Sequence, residues 1–106
     1  MVSIASVKNA AIRSDIMINK LRNYTTEAGM WELLTEELCE LAQETSKYAR
    51  LLRNEIPSNS TLGKVYAHIR EELSDVVNCL SILDVRPDFK IAEYKLQRMI
   101  DRYEKR

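Results

Sequence analysis

Glycine and proline are nearly missing, with two of each in 106 residues. Sandwiches and barrels need many turns, and turns draw on those two residues, so the composition argues against a β architecture. Cysteine is equally sparse. Cys39 and Cys79 have neither a CxxC spacing nor a partner histidine pattern, so both read as reduced, packed thiols and not as a disulfide or zinc framework. Excess charge of one sign is lacking too. Lys+Arg 16 balances Asp+Glu 16, which removes the electrostatic footprint of a nucleic-acid or anionic-membrane binder. No apolar run exceeds three residues, so neither a membrane-spanning helix nor a signal-peptide core is expected. The expectation is a soluble cytoplasmic protein with one domain over residues 1–106. A chain of this size buries roughly two-thirds of its extended surface, enough for one small core.

What is present is helical periodicity. Strand signals are absent, and four stretches place apolar residues at helical spacing, which predicts an all-α antiparallel bundle of about four helices. The first covers about 7–22, with Ala11, Ile12, Ile16, Ile18 and Leu21 on its apolar side. The second covers about 28–53 and is capped by Thr25 or Thr26; Leu34, Leu38, Leu41, Ala42, Ala49 and Leu52 form its apolar face. A loop with Pro57 follows. The third covers about 61–83, capped by Ser60 or Thr61, with Leu62, Val65, Ile69, Leu73, Val76, Leu80 and Leu83 inward. Pro87 cannot continue it, and Asp88 is placed to cap a fourth helix over about 89–103.

The informative feature is where the acids fall. Between Asn23 and Ser46 there are six Glu and no Lys or Arg, in a chain whose charge is balanced overall. Glu37 lies at the edge of the second helix's apolar face, Glu40 follows at i+3, and Glu44 continues the strip, whereas Glu36 turns toward solvent. On the third helix Glu72 falls inside the apolar arc with Asp75 at i+3, while Glu71 points away. Acid-rich helix faces are usually only solvated, and Lys47 or Arg70 could neutralise part of the charge. An ionised carboxylate facing a core is costly, however, unless it is paired or metal-bound. Two helices that each bring an acid pair to their contact would gather four carboxylates around one point. Oxygen-only ligation of that kind suits Mg²⁺ or Mn²⁺ better than zinc.

The fourth helix adds cations. Lys95, Arg98 and Arg102 line one flank, beside an apolar face of Phe89, Ala92, Leu96, Met99, Ile100 and Tyr103. A basic face near a helix C-terminus is favoured by the helix dipole alone. Beside a carboxylate-held metal the same strip would grip phosphate oxygens.

The run Trp31-Glu-Leu-Leu-Thr-Glu-Glu-Leu-Cys-Glu-Leu-Ala-Gln-Glu44 and the later Glu71-Glu-Leu-Ser-Asp-Val-Val-Asn-Cys-Leu80 resemble the MazG-like family of all-α nucleoside triphosphate pyrophosphohydrolases. The family pattern is E-E-x-x-E followed by E-x-x-D, matched here by Glu36, Glu37 and Glu40 and by Glu72 and Asp75. The stretch from Lys95 through Arg102 is similar to the basic C-terminal helix of the small single-domain members. The resemblance covers about residues 31–103 and leaves the first helix aside. It implies Mg²⁺-dependent hydrolysis of a (deoxy)nucleoside triphosphate to the monophosphate and pyrophosphate. Glu37, Glu40, Glu72 and Asp75 would be the metal ligands. One carboxylate, with Glu40 the first choice, would serve as the base. Lys95, Arg98 and Arg102 would hold the phosphates, with Lys47 and Asn78 as further substrate contacts. It also implies a homo-oligomer, dimer or tetramer.

Several residues carry plainer expectations. Trp31 could stack on a base but sits on the apolar side of its helix, where core packing is expected. His68, one turn before Glu72, could ligate a metal; a lone histidine is more often a surface or hydrogen-bonded residue. A non-catalytic helical module, binding a metal structurally or a basic partner, stands as the competing expectation. Phosphoribosyl-ATP hydrolysis stands as a lesser one within the enzyme class.

Overall fold

The computed structural model describes residues 4–56 and 61–105, with side chains described from Ser14 onward. Four helices account for almost all of it: α1 (Ile4–Tyr24), α2 (Glu27–Leu52), α3 (Leu62–Leu83) and α4 (Phe89–Glu104). Among the described residues there is no strand, so the all-α expectation holds. The side chains of Ala11 and Ile12, and the Pro57 loop up to Ser60, lie outside the described residues.

Local chemistry sets the ends of these helices. The Thr26 side chain accepts a hydrogen bond from the Gly29 amide at 3.1 Å, and Thr61 does the same for Lys64 at 3.2 Å. Asp88 accepts from both Lys90 and Ile91, at 3.0 and 3.2 Å. Each satisfies backbone donors that the first helical turn leaves without partners. At the other end of α3, Asp84 adopts a left-handed conformation with φ 57°. That conformation ends the helix, and aspartate tolerates it better than most residues.

α2 and α3 pack side by side as the centre of the fold, and α1 touches α3 more sparingly. The pair is antiparallel: Met30 and Leu34 cluster with Val76 and Cys79, Glu44 meets His68, and Tyr48 meets Tyr66. Leu41, Leu80, Ile82 and Leu83 border that cluster. Arg22 ties α1 to the end of α3 by donating Nε to the Ile82 carbonyl and Nη2 to the Ser81 carbonyl, both at 2.9 Å. These carbonyls belong to the last turn of α3, where the helix runs out of its own donors; Ser81 also accepts from the Asp84 amide at 3.2 Å.

The inward stripe of α2 is narrower than the sequence suggests. It runs through Met30, Leu34, Glu37, Leu41 and Glu44, whereas Leu38 is exposed, as are Ala42 and Leu52. Trp31 is 46% exposed, contrary to the expectation of core packing. Cys79 is buried as expected but Cys39 is exposed. On α3, Leu62 and Leu73 also face outward. The physical reason is common to all of these: one neighbouring helix covers only a narrow stripe, and the rest of a broad apolar face has nothing against it. The whole chain shows the same openness. Its accessible surface is 9101 Å², against about 6,100 Å² for a compact monomer of this mass. The radius of gyration, 18.0 Å, likewise exceeds the roughly 13 Å of a compact domain.

α4 is the extreme case. Among the described residues it packs against no other helix, and Phe89, Leu96, Met99, Ile100 and Tyr103 are all exposed.

Candidate metal centre

The α2–α3 seam is apolar at one end and acidic in its middle. Immediately beyond Leu34 and Val76 it meets Glu37 and Glu72, both half-buried, with Glu40 at the exposed edge. One carboxylate oxygen from each of Glu37, Glu40 and Glu72 lies within 4.8 Å of the others. The structure therefore gathers three of the four expected carboxylates. Asp75 is exposed and outside this triad, but near enough for its charge to act on both Glu37 and Glu72.

The electrostatics follow from that crowding. Hydrogen bonding with Glu40, burial, and the charges of Glu40, Asp75 and Glu37 together raise the Glu72 carboxyl from its ordinary 4.5 to about 7. Glu37 is also raised, first by burial and then by the charges of Glu40 and Asp75. Like charges this close resist simultaneous ionisation. Cys79, just beneath, is pushed up by burial and by the charges of Glu37 and Asp75. Its thiol stays protonated at neutral pH, which agrees with a packing role and not a nucleophilic one.

Three inner oxygens, Oε2 of Glu37, Glu44 and Glu72, are buried without a hydrogen-bond partner. Buried acceptors without donors are rare and costly. His68 Nδ1 approaches Glu44 Oε2 only to 3.8 Å, too far for a hydrogen bond. His68 therefore lies beside Glu44 and outside the triad. A hard divalent cation held by the triad would give the Glu37 and Glu72 carboxylates a partner, since it takes oxygen ligands, and its charge would let them ionise together; Glu44 stands outside the triad.

The remaining candidate residues fall elsewhere. Lys47 is half-buried on α2, one turn past Glu44, and Asn78 is exposed on α3. Lys95, Arg98 and Arg102 are exposed on α4, which packs against neither α2 nor α3, so a single chain does not set them beside the acids. Arg98 instead lies over the Tyr94 ring of its own helix, 6.0 Å from the centroid. Two residues have roles that the sequence did not assign to them. Glu44 contributes the third orphaned oxygen, and its signal was its place on the same strip as Glu37 and Glu40. Arg22 holds α1 on α3, and nothing local in the sequence distinguishes it from other surface arginines.

Compared with family models, curated proteins and solved structures, the chain matches none.

Proposed function

We propose that this protein is a Mg²⁺-dependent nucleoside triphosphate pyrophosphohydrolase. The observation that carries the reading is the convergence of Glu37, Glu40 and Glu72 across the α2–α3 seam, with inner oxygens that have no donor. The E-E-x-x-E and E-x-x-D spacings, and the resemblance they bring, supply the substrate class. Glu37, Glu40 and Glu72 would hold the ion, with Asp75 completing the set from the exposed side; Mn²⁺ suits the same donors. When bound, the ion supplies charge to neutralise a polyphosphate and lowers the pKa of water at the site. Glu40, at the solvent edge of the triad, would take the proton of the water that attacks the α-phosphorus. The bond from the α-phosphorus to the bridging oxygen then breaks, and pyrophosphate leaves with the monophosphate as second product.

The reading includes a homo-oligomer, dimer or tetramer. The surface in excess of a compact monomer, about 3,000 Å² per chain, is at least what each partner of an obligate interface buries, about 1,000–2,500 Å². A neighbouring copy is also the route by which Lys95, Arg98 and Arg102 would reach a carboxylate centre, because α4 packs on no other helix among the described residues.

That separation of acids from the basic helix favours one competing reading, a non-catalytic module whose acid cluster binds a metal or a basic partner. Product analysis decides between them. The pure protein is incubated with Mg²⁺ and a panel of ribo- and deoxyribonucleoside triphosphates. Monophosphate plus pyrophosphate, lost in Glu37→Gln and Glu72→Gln, is the expected result. Metal binding without turnover of any triphosphate would favour the module; absence of metal binding would remove the enzyme and leave only a module whose acids meet a basic partner.

A further inference from the structure

The seam carries one more polar rung, which the triad leaves unexplained. Of the three buried oxygens without a donor, two belong to Glu37 and Glu72 of the triad, whereas Glu44 Oε2 lies outside it. Across the α2–α3 contact that oxygen faces His68 Nδ1 at 3.8 Å. The gap is too wide for a hydrogen bond. An ion pair with a protonated His68 would gain little, because the histidine side chain is 58% exposed and water screens it. A buried acceptor held just out of reach of an imidazole nitrogen is therefore costly if packing is its only role.

A metal ion would remove that cost. Metal bonds to carboxylate oxygen and imidazole nitrogen are each about 2.1 Å long, so two of them meeting at a bent angle span the observed gap. Spacing points the same way. Glu44 follows Glu40 by four residues on α2, and His68 precedes Glu72 by four on α3. The pair is thus the next rung of the seam, about 6 Å along from Glu40 and Glu72. Side chains at i and i+4 share one face of a helix, the spacing by which helices hold zinc. Glu72 stands on the same face as His68, so its second carboxylate oxygen is available as a third ligand, and water reaches the exposed side of His68. Beyond the pair lie the rings of Tyr48 and Tyr66, with centroids 6.3 Å apart.

We propose that Glu44 and His68 form a second metal position, one helical turn from the triad, which takes a divalent transition metal such as Zn²⁺ in preference to Mg²⁺. The donors decide the preference: imidazole nitrogen suits zinc, whereas the harder Mg²⁺ favours oxygen. This position goes beyond the hydrolase reading and stands whether or not the triad binds Mg²⁺.

His68 is the only histidine in the chain, so in the full, tag-free protein a single imidazole gives the whole histidine NMR signal. On titration with Zn²⁺ its Nδ1 resonance should shift, while Mg²⁺ alone should leave it in place. Glu44→Gln should weaken the Zn²⁺ affinity read from that shift by about tenfold or more, since even an outer partner of a ligand is worth that much. Glu37→Gln, which alters only the triad, should leave the shift intact. Circular dichroism checks the helicity of both variants, and competition supplies a reading that needs no variant: saturating Mg²⁺ should not reverse the shift. No shift with Zn²⁺ would overturn the position, as would a shift that Glu44→Gln leaves unchanged or that Mg²⁺ reverses. A shift abolished by Glu37→Gln would make His68 a ligand of the triad and end the separate position. Calorimetric Mg²⁺ titration reports the triad by itself. Zn²⁺ binding at His68 in a protein that binds no Mg²⁺ would sink the reading of the triad and uphold the second position.

Discussion

The α2–α3 seam and α4 differ in a way that reverses their sequence patterns. α4 separates apolar from charged residues more cleanly than any other helix, yet it buries nothing. The seam interrupts its apolar stripe with Glu37, Glu44 and Glu72, and it forms the centre of the fold. Amphipathicity states that a face gains by being covered; it does not state by what. Acids on an inward stripe weaken packing, and their persistence in the seam is where a functional reading has purchase.

The contrast can be broken at the acids first. Glu40→Gln should lower kcat by about 10²–10⁴-fold, the range for loss of a general base, while circular dichroism stays unchanged. A comparable loss of helicity would instead make Glu40 part of the packing. Next comes the apolar end of the seam: Leu34→Ala should cost about 2–5 kcal/mol in denaturant unfolding, because Leu34 is buried against Val76 and Cys79. The Thr26→Ala change, which removes a cap from α2, should cost about 1 kcal/mol.

The pH dependence of the seam sharpens the comparison further. Because the folded state raises Glu72 from 4.5 to about 7, it holds a proton that the unfolded chain releases, and this stabilises the fold at low pH. Without added metal, that contribution should be lost as pH rises from about 4.5 through about 7. Glu72→Gln should abolish much of the loss, and Mn²⁺ should raise the unfolding midpoint above pH 7, where the carboxylates are free to bind it. The smallest effect belongs to α4. Leu96→Ala should change stability by no more than about 0.5 kcal/mol in dilute solution, since Leu96 is exposed. A cost near that of Leu34→Ala, growing with protein concentration, would show that another copy covers this face.

The four helices and their caps were legible because they are local. Thr26, Thr61 and Asp88 each act on amides two or three residues away, and Pro87 separates α3 from α4 through its own ring. The acid seam was partly legible for a similar reason. Spacing of three along a helix fixes which side chains are neighbours, so Glu37 with Glu40 could be paired from the sequence alone. Their meeting with Glu72 needed the register of α2 against α3, which depends on side chains far apart in the chain. Asp75, expected in the set, turned out to stand at its margin for the same reason.

Trp31, Leu38 and Cys39 were misjudged because sequence periodicity marks a broad apolar face, while a single neighbour buries only part of it. What the chain's order of residues determined by itself, therefore, is helix content, helix ends and the charge pattern on each face, all governed by interactions within a few residues. Tertiary structure alone decided that three carboxylates converge and that the basic strip of α4 stands apart. Those outcomes depend on how helices cross and on how much surface one neighbour can cover.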